Sequence, residues 1–219
     1  MSACDVVLVG VGGQGVLTIA DLVLHAAFEG DVPATYAPTK GMAQRGGFVK
    51  AEIRLGRENV GPRIAEGQAD LVVAMERSEG LKGLAFLKPG GTFLLYDHVW
   101  APTGVMLGAD AYPSREQVLA AIASVTSDTI VLDPNDRLTV DGSPVRPNIL
   151  VLGAAVGRTP LGKILAAESM AATIEARWSK ATESNCTAFR FGLASGEPAF
   201  DELLGRSHDG ERLDGKASE

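Results

Sequence analysis

The chain is short of the residues that most often carry chemistry. It has two cysteines, Cys4 and Cys186, far apart and in no C-x-x-C arrangement. Two thiols do not supply the four thiolates of an iron–sulfur cluster or of an ordinary structural zinc site, so this chain alone is expected to hold no metal. The three histidines, His25, His98 and His208, fall in no metal-binding or catalytic spacing. There is no G-x-S-x-G elbow, no H-E-x-x-H, and no P-loop lysine behind a glycine turn. Positive charge is scarce too. With 20 Lys and Arg against 27 Asp and Glu the net charge is −7, which argues against a nucleic-acid partner. No apolar run reaches bilayer length, and the N-terminus lacks the basic and then apolar layout of a signal peptide. A cytoplasmic protein without membrane contact is expected.

What is present begins with residues 5–17. A β-branched run from Val6 to Val9 breaks at Gly10, and Gly10, Gly12 and Gly15 fall at G-x-G-x-x-G spacing before an apolar, helix-compatible segment. Strand, glycine turn and helix in that order make a cradle for a phosphate, because residues without Cβ open the backbone and a helix start offers free N–H groups. The same glycines also serve simply to pack a helix on a sheet, and this stretch alone leaves both readings open. In the helix, Thr18, Asp21, His25 and Glu29 share one stripe, which makes His25 a solvated residue.

Residues 32–36 read as the second strand of a βαβ unit. Dinucleotide-binding folds place Asp or Glu at the end of that strand; here the chain reads Ala37, Pro38, Thr39, Lys40, which counts against NAD. Residues 38–47 read as an ordered loop whose Lys40 and Arg45 have donors to offer an anion, at the same sheet edge as the first turn. Residues 48–55 alternate apolar with Lys50, Glu52 and Arg54, a strand with one wet face. A buried strand over 71–75, a helix over 76–87 stopped by residues 88–91, and a strand over 92–96 follow. Asp97 and His98 form the best remaining polar pair, although neighbours in a strand point to opposite faces. Ser114 and Gln117 predict a capping box opening a helix to about Ser124, followed by a strand over 129–132. Further helices are expected from Pro147 and over 166–178, with Trp178 as packing. The fold class is α/β, a single Rossmann-like domain with a mostly parallel sheet and flanking helices. Its expected extent is 1–200, with a polar tail over 201–219.

Three blocks carry a resemblance: residues 10–16 (Gly-Val-Gly-Gly-Gln-Gly-Val), 40–47 (Lys-Gly-Met-Ala-Gln-Arg-Gly-Gly) and 69–76 (Ala-Asp-Leu-Val-Val-Ala-Met-Glu). In order and spacing they resemble the gamma-type domain of 2-oxoacid:ferredoxin oxidoreductases. The second block looks most like the small subunit of the indolepyruvate branch, and Asn148 to Ala154 is similar to that family's asparagine-led helix. The resemblance implies a subunit of an enzyme that decarboxylates a 2-oxoacid, an aryl pyruvate in that branch. It also implies a large catalytic partner holding thiamine diphosphate, Mg2+ and 4Fe–4S clusters, with coenzyme A as acyl acceptor and ferredoxin as electron acceptor. On that basis the candidate cofactor-binding residues are Gly10, Gly12, Gly13, Gln14, Gly15, Lys40, Gly41, Gln44, Arg45 and Gly46. They would contact coenzyme A or shape the interface with the partner, and no residue here is expected to be catalytic. The family often carries another polar residue, such as histidine, where this chain has Lys40. The alternatives are a free-standing NAD- or FAD-dependent oxidoreductase and a non-enzymatic nucleotide-sensing module.

Overall fold

A computed structural model describes residues 2–40, 46–101, 103–108, 111–134, 139–140 and 143–195. Six strands form its sheet: β1 (Cys4–Val11), β2 (Ala34–Lys40), β3 (Phe48–Leu55), β4 (Ala69–Ala74), β5 (Leu87–Tyr96) and β6 (Thr129–Leu132). A two-residue ribbon, β7 (Thr139–Val140) with β8 (Ser143–Pro144), lies apart from it. The helices are α1 (Val16–Glu29), α2 (Arg77–Leu84), α3 (Thr103–Met106), α4 (Arg115–Ala123), α5 (Pro147–Arg158), α6 (Ala167–Arg177) and α7 (Thr182–Ala194). None of the described helices is long and apolar enough to cross a membrane.

The sheet runs β2-β3-β1-β4-β5-β6 and is mostly parallel. β1, β4, β5 and β6 pair parallel, whereas β3 pairs antiparallel with both β1 and β2. β1 shows why: a strand alternates its side chains, and both faces here are covered. Val6 and Leu8 point into a core formed with α1, α5, α6 and α7, while Val7 and Val9 join Val72, Phe93, Leu95, Val118 and Ile122 on the other face. With no wet side, the strand reads as a continuous apolar run.

Three local expectations are corrected. Residues 38–40 are strand rather than loop, because Pro38, Thr39 and Lys40 pair with Ala51, Lys50 and Val49 of β3. Pro38 is tolerated there because β2 is an edge strand. β2 is therefore not the neighbour of β1 that a simple βαβ unit would give; the chain reverses after it and β3 fills the gap. Nor is β3 wet on its charged face. Glu52 is 1% exposed, accepting from the Ile64 N–H at 3.0 Å and from Arg63 Nη1 at 2.7 Å, with Lys50 Nζ 3.4 Å away. Arg54 reaches across to Asp5 at 3.1 Å. Finally, α2 ends at Leu84 and residues 88–91 belong to β5. Their turn-like composition is absorbed by a register shift between Ala69 and Leu71 and by Gly90 at φ +71°.

His25 is exposed on α1, its ring nitrogen 2.8 Å from the Asp21 carbonyl. Trp178 packs against the core with Arg146 stacked on its ring. The expected tail, 201–219, lies outside the described residues.

A cleft between two helix starts

The carboxyl ends of β1, β4 and β5 lie side by side, so the connections leaving them gather at one edge of the sheet. The glycine turn after β1 is clamped there. Gln14 N–H donates to the Val11 carbonyl at 3.1 Å, and Gly12 N–H donates to the Gly47 carbonyl at 2.8 Å. The turn and the start of β3 are thus brought together. Positive φ falls on Gly13 (+107°) and Gly15 (+80°), conformations that side-chain-bearing residues rarely adopt. Gly10 is needed for space instead: a Cβ would lie 2.8 Å from Gln14 Oε1 and 2.9 Å from Met75 Cβ.

Gln14 is spent on the protein itself. Its Oε1 accepts from the Val11 N–H and its Nε2 donates to the Met75 carbonyl, both at 2.8 Å, with His98 Nδ1 3.4 Å away. The side chain staples the glycine turn to the ends of β4 and β5 rather than reaching outward.

α1 begins after Gly15 and α5 after Arg146, and neither start has a side-chain cap. First-turn N–H groups of a helix have no intrahelical acceptor, so each start is an electropositive surface. Both face one open cleft of about 430 Å³, lined by Gly13, Gln14, Gly15 and Thr18 from the α1 side and by Arg146, Pro147 and Asn148 from the α5 side. The two starts touch, since a Cβ on Gly15 would lie 2.5 Å from Asn148 Nδ2. Met75, Tyr96, His98 and Trp100 complete the lining. His98 stacks on Tyr96 with rings 4° from parallel, and Trp100 is tilted 46° to His98. One side of the cleft is therefore cationic and rich in donors, the other planar and aromatic.

Of the sequence-predicted residues, Gly13, Gln14 and Gly15 line this cleft, with Gly10 and Gly12 directly behind. Lys40 ends β2 and Gly46 stands at φ +77° beside Gly12. Gly41, Gln44 and Arg45 lie outside the described residues. Arg146, Thr18, His98 and Trp100 were not among the predicted site residues. The sequence puts Thr18 on a solvated stripe and His98 in a polar pair with Asp97; only the Pro147-Asn148 opening of α5 signals a second helix start. Asp97, the other half of that pair, faces away from His98 and accepts from Arg77 at 2.6 Å and Arg115 at 2.7 Å.

Both thiols are buried, and burial pushes Cys4 up to about 12 and raises Cys186 as well. At about 12 the Cys4 thiol is protonated at neutral pH. The NAD reading loses its geometry: the strand whose end would carry a ribose-binding carboxylate is separated from β1 by antiparallel β3.

The family model for pyruvate ferredoxin/flavodoxin oxidoreductase matches residues 5–195. A relative from Archaeoglobus fulgidus, named indolepyruvate oxidoreductase subunit IorB, is 32% identical over 200 residues, spanning 89% of this chain and 98% of that one. Pyruvate oxidoreductase subunit PORC of Thermotoga maritima shares the fold with a TM-score of 0.62 at 21% identity, covering 88% of this chain and 96% of that one. In 2-oxoglutarate:ferredoxin oxidoreductase from Magnetococcus marinus the same fold, TM-score 0.60 at 14% identity, matches 99% of this chain and 34% of a longer one. From the match over residues 5–195 and the near full-length relative, this chain belongs to the pyruvate ferredoxin/flavodoxin oxidoreductase family.

Proposed function

We propose that this chain is the small subunit of a cytoplasmic 2-oxoacid:ferredoxin oxidoreductase acting on aryl pyruvates, and that its cleft receives the phosphates of coenzyme A. The first part rests on relatives that are themselves named subunits, including the indolepyruvate enzyme of Archaeoglobus fulgidus. The second rests on one observation: two uncapped helix starts, α1 and α5, meet Arg146 in a single cleft. Converging N–H groups and a guanidinium suit a pyrophosphate, and the Tyr96, His98 and Trp100 wall suits a planar ring attached to it.

Thiamine diphosphate with Mg2+, and 4Fe–4S clusters, carried by a larger partner, would supply the carbon–carbon cleavage and the electron transfer to ferredoxin. The burial of both thiols supports assigning the clusters to that partner. This chain's part is positional. The backbone N–H groups at the start of α1 and the Asn148 N–H orient the phosphates, Arg146 neutralises them, and Gln14 keeps the glycine turn in register with β4. Lys40, Gly41, Gln44, Arg45 and Gly46 are proposed to belong to the same surface, since Gly46 and Gly47 stand beside Gly12.

The test is steady-state kinetics of the purified complex with Arg146→Ala. Losing a charge-assisted contact is expected to raise KM for coenzyme A about tenfold or more, with kcat for the 2-oxoacid little changed. An unaltered KM would refute the cleft assignment. Purification of the tagged chain without any thiamine-bearing partner would refute the subunit reading.

A further inference from the structure

Glu76 sits at the end of the third resemblance block and takes no part in the cleft lining. It is 0% exposed and is the N-cap of α2. Glutamate is an unusual choice for a cap, where Ser, Thr, Asp and Asn reach the first-turn N–H groups with less side chain to order. The two carboxylate oxygens divide the work. Oε2 serves the helix, accepting from the Glu79 N–H at 2.8 Å and from Ser78 Oγ at 2.7 Å. Oε1 serves a different segment, accepting from the Trp100 N–H at 3.2 Å and from the Tyr112 hydroxyl. Burial and the Glu76 carboxylate raise the Tyr112 phenol above its usual range, so it stays a donor.

Trp100 is the residue at stake. Its ring forms part of the cleft wall, yet it is 45% exposed, so packing alone does not hold it. The strap that carries it leaves β5 at Tyr96 and reaches α4 at Arg115. Asp97 roots one end through Arg77, and Arg115 returns to the same Asp97 from the other. Between those roots the Arg77 N–H donates to the His98 carbonyl at 3.0 Å and the Ser78 backbone bonds the Tyr112 hydroxyl, while Oε1 alone holds both the Trp100 N–H and the Tyr112 hydroxyl on one side chain.

We propose that Glu76 is the positioning residue of the cleft, setting the aromatic wall by holding the Trp100 backbone and the Tyr112 hydroxyl on one buried carboxylate oxygen while the other caps α2. The inference deepens the coenzyme A assignment and rests on it for the kinetic readout, but not for the spectroscopic one. Tyr112→Phe removes one of the two Oε1 contacts and keeps the Glu76 carboxylate on the Glu79 N–H. Glu76→Asp keeps a cap-competent carboxylate but loses the reach to the strap. Ser78→Ala weakens only the cap side.

The experiment is 19F NMR of the complex with 5-fluorotryptophan at Trp100 and Trp178, the two tryptophans of the chain. Tyr112→Phe and Glu76→Asp are expected to shift and broaden the Trp100 resonance while Trp178 stays in place, and to raise KM for coenzyme A about threefold to tenfold with kcat nearly constant. Ser78→Ala is expected to leave the Trp100 resonance where it is. A Trp100 resonance unmoved by Tyr112→Phe, or moved equally by Ser78→Ala, overturns the proposal. A displaced Trp100 with unchanged KM leaves the latch standing and refutes the coenzyme A reading of the cleft instead.

Discussion

Gly15 carries two demands at once, a left-handed backbone and a neighbour in contact. At φ +80°, with Asn148 Nδ2 only 2.5 Å from where a Cβ would stand, Gly15→Ala should cost about 2 kcal/mol or more in urea unfolding. Gly13, at φ +107° with no heavy atom within 4 Å of its Cβ position, should pay the backbone share alone. Adding Asn148→Ala to Gly15→Ala should then recover part of the loss, a non-additivity that separates clash from strain. Glu52 gives a second prediction at this scale. Burial raises its carboxyl, but the Ile64 N–H, Arg63 and Lys50 together outweigh that and hold it below the ordinary value of 4.5. A depressed folded value means the stabilisation is complete above 4.5 and is lost as pH falls through the folded value. Glu52→Gln should lower stability by about 1–3 kcal/mol at pH 7 and flatten the acid limb of the stability curve; an acid limb identical to the parent's would show that Glu52 does not drive it.

Between helices, α5 and α7 cross in backbone contact. A Cβ on Gly192 would lie 2.0 Å from the Leu150 carbonyl oxygen, and one on Gly153 would lie 2.1 Å from that of Phe189. These are backbone atoms in two helices, and neither moves without the other. Gly192→Ala should cost about 3 kcal/mol, read as a lowered Tm, whereas Gly61→Ala, with open space around it, should fall within about 0.5 kcal/mol of the parent. The same crossing shows where sequence reading stopped. The capping box at Ser114, the strand Thr129–Leu132 and the helix opening at Pro147 are all local patterns, and all were legible. α7 was not, because its buried face is Asn185, Cys186, Ala188, Phe189 and Gly192, too polar and too small for an apolar period. The antiparallel place of β3 was hidden for another reason: register and neighbours are set by non-local pairing, and an alternating strand looks the same in either direction. The cleft was half legible. Its glycine turn is a local motif, but Arg146 and Trp100 join it only through the order of the strands.

At the scale of the whole molecule, the strap beyond β5 has one more property. Met106 and Leu107 are 75% and 79% exposed, and Val99 and Trp100 are also open to solvent. Large apolar side chains open to solvent on one connection are what an association surface requires. Met106→Ser with Leu107→Ser should leave unfolding of the free chain unchanged, because neither side chain is buried, and, on the subunit reading proposed above, should weaken binding to the partner subunit about tenfold or more. Calorimetric titration of the two subunits checks this, and an unchanged Kd would move the interface elsewhere.

The burial of Cys4 and Cys186 bears on how docking at the strap can be watched. A thiol held near 12 in a packed strand is almost wholly protonated at neutral pH and shielded from reagent, and Cys186 is only 6% exposed. Neither native thiol is expected to label quickly with a maleimide dye. A single cysteine introduced at Met106 would be the one fast-reacting thiol, so a fluorophore on the strap could report docking in real time without first stripping the native cysteines from the core.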